Sequence, residues 1–159
     1  MRIGIDAREL CGHATGARNG TAFSRAVKLS LTWGFGFGVA TTLLILALGP
    51  WLIDLMTASP DVRLAARDYL VYAALASVIG VFAFAYDGIY IGATWTQDMR
   101  NLMIVALLAY LATWWLTLPL GNTGLWIAIL VFFGVRGALQ AARYPALVRA
   151  TFSPATAAP

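Results

Sequence analysis

Charge is what this sequence has least of. Of its 159 residues, 11 are basic and 7 are acidic, whereas 60% are hydrophobic and the mean hydropathy is +0.76. So few charged groups cannot coat a globule of 17.1 kDa in water. The composition therefore excludes an ordinary soluble domain and favours a membrane protein.

Residues that carry enzyme chemistry are almost absent. Cys11 is the single cysteine, so the chain can form no internal disulfide and has no CxxC redox pair. His13 is the single histidine, which rules out a histidine cluster for a metal ion. No Walker A loop, HExxH motif or nucleophile elbow occurs. We predict that the chain is not an enzyme and holds no metal or cofactor, and that Cys11 and His13 fill space at a helix end.

Long runs without charged residues indicate the fold class. Residues 101–135 contain no charged side chain, and as one helix they would measure about 50 Å, against a hydrocarbon core of about 30 Å. They must therefore fold back, and the breakers at 119–124 mark the turn. Two further uncharged runs, 29–53 and 69–86, are each long enough to cross a bilayer.

The prediction is an all-α polytopic membrane protein with four transmembrane helices. No segment shows the period-two alternation of a membrane barrel. We place the spans at about 27–53, 62–92, 101–118 and 124–142, within a transmembrane domain of residues 24–152. Residues 1–23 are expected to be a cytoplasmic segment that includes the end of a preceding helix, and residues 153–159 to be a disordered tail.

The basic residues are sorted by side of the membrane. Nine of the eleven flank the spans on one side, and only Arg63 and Arg67 fall on the other, among three aspartates. By the positive-inside rule both termini are cytoplasmic, so we expect a multi-pass protein of the cell inner membrane. This sorting also explains the pI of about 9.6 without nucleic acid, which is not an expected partner.

Three glycines stand close together in the first span. Gly34 and Gly38 have the GxxxG spacing that lets another helix approach closely, and Gly36 lies between them. They predict a helix-packing face, or a hinge that bends during a transport cycle.

Asp87 is the candidate coupling residue. If the second helix continues to about Gly92, this carboxylate lies within the membrane, where an unpaired charge costs a few kcal/mol. It is either a site of substrate or ion coupling or a carboxylate hydrogen-bonded at the cytoplasmic rim. Arg136, in the last third of the fourth span, is expected to snorkel toward the cytoplasm, with a substrate or lipid-phosphate contact as the alternative.

Several motifs resemble those of a known transporter family. The segments are DGIYIGAT at 87–94, DMRN at 98–101, GHATGAR at 12–18 and RYP at 143–145. Together they resemble the DinF-like branch of the MATE (multidrug and toxic compound extrusion) transporters, with His13 where that family usually has glutamine.

The resemblance implies a fold and an activity. Such transporters have twelve helices in two lobes, and this chain is similar to the last four helices and the tail of the eighth. The family exports cationic or amphipathic compounds by alternating access, driven by protons or sodium ions. The coupling carboxylate of that branch lies in the N-terminal lobe, so Asp87 is assigned a coupling role only by its position.

The leading functional hypothesis is therefore a C-terminal part of a cation-coupled efflux antiporter, inactive without the missing N-terminal lobe. Its expected partners are the lipid bilayer, that lobe and small cationic or amphipathic substrates. The alternative is a small non-transporting membrane subunit or scaffold that assembles through the face of Gly34 and Gly38.

Overall fold

The structure, a computed structural model, describes residues 7–152. This part of the chain contains five α-helices and one short 3-10 helix, and no strand. The helices are α1 (Ala7–Gly16), α2 (Gly20–Met56), α3 (Pro60–Gly92), α4 (Thr96–Leu116) and α5 (Asn122–Phe152). Helices α2 to α5 are each long and apolar enough to span a membrane, so the prediction of an all-α protein with four spans is confirmed.

The helix boundaries differ from those predicted. Helix α2 begins at Gly20 rather than 27, because the side chain of Asn19 caps it by accepting the N–H of Ala22 at 3.0 Å. Helix α5 starts at Asn122 and runs on to Phe152 instead of spanning 124–142. Hydropathy marks only the apolar middle of a helix, whereas the helix itself continues to its caps.

The two central helices differ less. Helix α3 runs from Pro60 to Gly92, close to the predicted 62–92. Helix α4 begins at Thr96 instead of 101 and ends at Leu116 instead of 118. The predicted disordered tail, 153–159, lies outside the described residues, as do residues 1–6 of the predicted N-terminal segment.

The spanning helices pack in the order α2, α3, α5, α4. Helix α3 contacts both α2 and α5, and α5 contacts both α3 and α4, while α3 and α4 barely touch. Helix α1 packs against α2 and α3. We call the end that holds α1 and the turn at residues 93–95 the basic end. The opposite end, with residues 57–59 and 117–121, is the hairpin end.

Small residues fill the helix contacts and large ones face outward. Ala74, Ala83, Ala106 and Ala128 are each at most 1% exposed, and many larger apolar side chains stand free, up to Met56 at 85%. A soluble bundle buries its large apolar residues instead. Transmembrane helices associate through small residues, because lipid already solvates the large ones. The chain is thus a multi-pass membrane protein.

The α4–α5 hairpin forms where the breakers predicted a turn. A 3-10 helix, Leu118–Leu120, follows α4, and Gly121 then adopts a positive φ of 57°. Gly124 packs directly on the chain, since a Cβ there would lie 2.2 Å from the carbonyl oxygen of Thr117. Only glycine allows this approach, so Gly124 fixes how closely α5 returns along α4.

An aromatic cluster closes the basic end. Phe23 of α2 is fully buried, and its ring centroid lies 5.6 Å from that of Trp95 and 5.1 Å from that of Phe152. The indole Nε1–H of Trp95 donates to Thr151 Oγ1 at 3.0 Å. These contacts join the start of α2, the α3–α4 turn and the end of α5.

The three glycines of α2 occupy different environments. A Cβ on Gly38 would lie 2.9 Å from Val81 Cγ2, and one on Gly34 would lie 3.4 Å from Val81 Cγ1. A Cβ on Gly36 would meet nothing within 4 Å. Gly34 and Gly38 thus pack against α3 of the same chain, while a hinge role for Gly36 stays a prediction.

We expect Gly38→Leu to lower the free energy of unfolding by about 1–3 kcal/mol, because the added side chain must push Val81 and α3 away. Gly36→Leu is the matched control: it introduces the same side chain two residues away, into open space. Unfolding in mixed detergent and sodium dodecyl sulfate, followed by circular dichroism, measures both. Equal losses for the two variants would show that helix propensity and not packing sets the effect.

Candidate functional site

The charged groups at the centre of the bundle lie between α3 and α5. Asp87 is part of α3, which continues beyond it to Gly92, and its side chain is 14% exposed. Arg136 is part of α5, and its side chain is 9% exposed. The guanidinium Nη2 of Arg136 donates to Asp87 Oδ2 in a salt bridge. The sequence did not anticipate this pairing, and the expectation that Arg136 snorkels toward the cytoplasm stays a prediction.

Gln140 donates a second hydrogen bond to the carboxylate of Asp87. It lies one turn after Arg136 on α5 and is fully buried, and its Nε2 donates to Asp87 Oδ1 at 2.8 Å. The backbone carbonyl of Gln140 accepts the hydroxyl of the fully buried Tyr90 at 2.8 Å. Asp87, Tyr90, Arg136 and Gln140 together form what we call the α3–α5 polar cluster.

The cluster is electrically neutral and enclosed by apolar groups. Both oxygens of Asp87 accept a hydrogen bond, one from Arg136 and one from Gln140. Arg136 Nη2 lies 3.9 Å from Met103 Sδ, and its Cζ lies 5.7 Å from the ring centroid of Phe132. A cation over an aromatic face is stabilised by the ring quadrupole.

Two polar atoms of the cluster have no partner among the described residues. Arg136 Nε, a donor, and Gln140 Oε1, an acceptor, are both buried without a hydrogen bond. Buried atoms of this kind cost free energy unless another group satisfies them. Arg136 Nε can therefore donate one further hydrogen bond, and Gln140 Oε1 can accept one.

The other ion pairs are peripheral. At the hairpin end, Arg67 Nη2 donates to both oxygens of Asp54, at 2.8 and 2.7 Å, and Arg63 donates to the carbonyls of Thr57 and Asp54 near the end of α2. At the basic end, Arg143 Nε donates to Asp98 Oδ1 at 2.9 Å. These pairs are 32–51% exposed and therefore contribute less than a buried pair.

Cys11 and His13 do not join any of these groups. Cys11 is fully buried against Phe23 and Ile89, and burial raises the pKa of its thiol from 9.0 to about 11. His13 is exposed near the end of α1. Among residues 9 and 11–152, whose side chains the structure describes, no three His, Cys, Asp or Glu side chains approach closely enough to hold a metal ion.

Comparison with known proteins places the chain in a family. Residues 1–116 match the MatE family model, which covers α1 to α4 and includes Asp87. The chain belongs to the MatE family. The MatE match ends at Leu116, so Arg136 and Gln140, the partners of Asp87, lie beyond it.

A curated protein is also similar to this chain. DNA damage-inducible protein F of Escherichia coli (strain K12) is 35% identical over 132 residues, which cover 82% of this chain. The aligned part spans only 28% of the relative's own length. No solved structure matches the chain.

We expect Asp87→Asn to lower the free energy of unfolding by about 3–5 kcal/mol, because it leaves the buried guanidinium of Arg136 without a counter-charge. Arg136→Gln should cost a similar amount, and the double variant less than the sum of the two. A double-mutant cycle in detergent measures the coupling.

The exposed pair Asp98–Arg143 supplies the control for this cycle. Asp98→Asn should cost about 1 kcal/mol or less, because solvent screens that pair. A coupling energy for Asp87 and Arg136 no larger than that for Asp98 and Arg143 would contradict the description of a buried, internally neutralised site.

Proposed function

We propose that the chain is the C-terminal part of a multidrug or toxic-compound efflux antiporter coupled to protons or sodium ions, corresponding to its last four helices. The match of residues 1–116 to the MatE family carries this proposal. The relative from E. coli is more than three times as long as its aligned part, which leaves room for a missing N-terminal lobe. The chain alone contains too few helices to enclose a pathway and is inactive without that lobe.

Asp87 is the coupling carboxylate of this part of the transporter. Ionisable residues inside a membrane are rare and are found on ion and proton paths. Arg136 forms a salt bridge with Asp87, and a coupling proton or sodium ion would have to bind the same carboxylate. Binding of the coupling cation therefore competes with Arg136, and the released guanidinium loosens α5 from α3. That exchange is one step of an alternating-access cycle.

A groove between three of the spanning helices suits the expected substrates. It has a volume of about 420 Å³ and lies between α2, α3 and α5. Its lining is almost entirely apolar, and includes Leu31, Phe82 and Phe133, with Tyr86 next to Asp87 in sequence. A flat aromatic or amphipathic cation fits such a surface, because the faces of Phe82 and Phe133 can stabilise its charge.

Both termini face the cytoplasm, and the protein lies in the inner membrane. The basic end carries the exposed residues Arg18, Arg25, Lys28, Arg100 and Arg149, while the arginines of the hairpin end are engaged with Asp54 and the end of α2. The positive-inside rule assigns the uncompensated cations to the cytoplasmic side.

The orientation is tested with single cysteines introduced at Asn122 and Ala150, which are exposed at opposite ends. In intact spheroplasts a membrane-impermeant maleimide should label Asn122→Cys and leave Ala150→Cys unlabelled until the membrane is opened. The wild-type chain is the control. Its Cys11 is fully buried, and burial raises the pKa of the thiol to about 11, so it should react much more slowly than an exposed thiol. Labelling of Ala150→Cys in intact spheroplasts would reverse the assigned orientation.

Transport is tested with a chimera in which this chain replaces the matching part of the E. coli relative. In an efflux-deficient strain the chimera should export ethidium in a proton- or sodium-dependent manner, and the chain alone should not. Asp87→Asn should abolish the ion dependence and Asp87→Glu should retain it, whereas Asp98→Asn should behave as the unmodified chimera, with equal membrane levels checked by immunoblot. Export by the chain alone, or unchanged ion dependence in Asp87→Asn, would overturn the proposal.

The scaffold hypothesis has less structural support. The face of Gly34 and Gly38 is covered by Val81 of the same chain, so it is not available for assembly with another subunit.

A further inference from the structure

A second groove lies on the outer side of the bundle, away from α3. It has a volume of about 400 Å³ and lies along α4, with Phe132 of α5 on its other side. Its apolar lining includes Met99, Met103, Ile104, Leu107 and Phe132. Ile104 and Leu107 are 50% and 48% exposed, so the groove opens to the surroundings of the bundle.

The length of this groove matches one leaflet of a bilayer. Its lining on α4 extends from Thr96 to Leu107, which is about 16 Å of helix and close to half of a hydrocarbon core of about 30 Å. Helix α4 has 21 residues and is just long enough to cross that core. The end of the groove at Thr96 therefore lies at headgroup level, and the end at Leu107 lies near the bilayer centre.

An uncompensated cation stands at the headgroup end. Arg136 binds Asp87 and Arg143 binds Asp98, but no carboxylate among the described side chains lies within 4 Å of Arg100. Within residues 7–152, the hydrogen bonds of the Arg100 guanidinium go to the side-chain oxygen of Asn101, at 3.4 and 3.3 Å. Arg100 is exposed and also lines the groove. The groove thus pairs a free positive charge with an apolar slot one leaflet long.

We propose that this groove is a binding site for an anionic phospholipid. The phosphate binds Arg100, and one acyl chain lies along Met103, Ile104 and Leu107 against Phe132. The positive charge of Arg100 favours an anionic occupant, and the length of the groove favours an acyl chain. A zwitterionic lipid also offers a phosphate to Arg100, but its own ammonium group already compensates that charge, whereas the phosphate of an anionic lipid has no such internal counter-charge. The proposal stands independently of any transport activity.

Native mass spectrometry of the purified chain in detergent, titrated with phosphatidylglycerol or phosphatidylcholine, tests the site. We expect wild-type protein to bind phosphatidylglycerol in preference to phosphatidylcholine. Arg100→Gln should weaken phosphatidylglycerol binding about fivefold, and Arg100→Lys should retain most of it. Arg25→Gln, which removes another exposed arginine of the same end, should change binding by less than twofold.

Two tryptophan variants test the acyl-chain position. Ile104→Trp fills the groove and should lower the binding of both lipids, whereas Leu108→Trp, at a residue 60% exposed and outside the lining, should not. If Arg100→Gln and Arg25→Gln weakened phosphatidylglycerol binding equally, general surface charge would explain the binding. That result would overturn the proposal. So would unchanged binding in Ile104→Trp, or a dimer of the chain that Ile104→Trp disrupts, because the groove would then hold a second copy.

Discussion

The salt bridge between Asp87 and Arg136 is the contact on which the arrangement of the bundle depends. An ionised carboxylate inside a membrane must be neutralised, and the counter-charge here comes from a different helix. Because the pair joins α3 to α5, its electrostatic requirement fixes the register of these two helices. Gln140 and Tyr90 reinforce the same register, since each bonds from one helix to the other. The helices that lie outside this pair, α2 and α4, are held mainly by the packing of small residues.

The roles of polar contacts and small residues follow from how lipid solvates side chains. Lipid solvates leucine, phenylalanine and tryptophan as well as a protein interior does, so these residues gain little by burial and stand exposed along the spans. Close backbone approach gains dispersion contacts that lipid chains do not match, and it needs small residues. Gly38 against Val81 shows this midway along α2, and Gly124 against Thr117 shows it at the hairpin end. Polar contacts inside the membrane are few, and the α3–α5 polar cluster concentrates them at one place.

The sequence alone predicts the number of spans and the α4–α5 turn, because both follow from hydropathy and from backbone preferences that act locally. It predicts the helix ends poorly: α5 continues through Pro145 for ten residues beyond 142, where the apolar pattern fades but no cap intervenes. It also selects Asp87 but misses Arg136 and Gln140 as its partners. The missed signal was charge balance, since Asp87 and Arg136 are both inside apolar spans that run in the same direction. Choosing α5 as the neighbour of α3 required the tertiary structure, which no local pattern contains.

The order of the helices decides what each arginine of α4 and α5 does. Helix α5 lies between α3 and α4, so Arg136 on its α3 side meets the carboxylate of α3 and is neutralised inside the bundle. Helix α4 barely touches α3, so Arg100 has no access to Asp87 and remains exposed. Met103 and Phe132 separate the two sites, because both contact the guanidinium of Arg136 and also line the outer groove. One layer of side chains therefore lies between Arg136, whose counter-charge comes from the protein, and Arg100, whose counter-charge must come from outside it. A movement that freed Arg136 from Asp87 would therefore also change the contacts that Met103 and Phe132 make with its guanidinium.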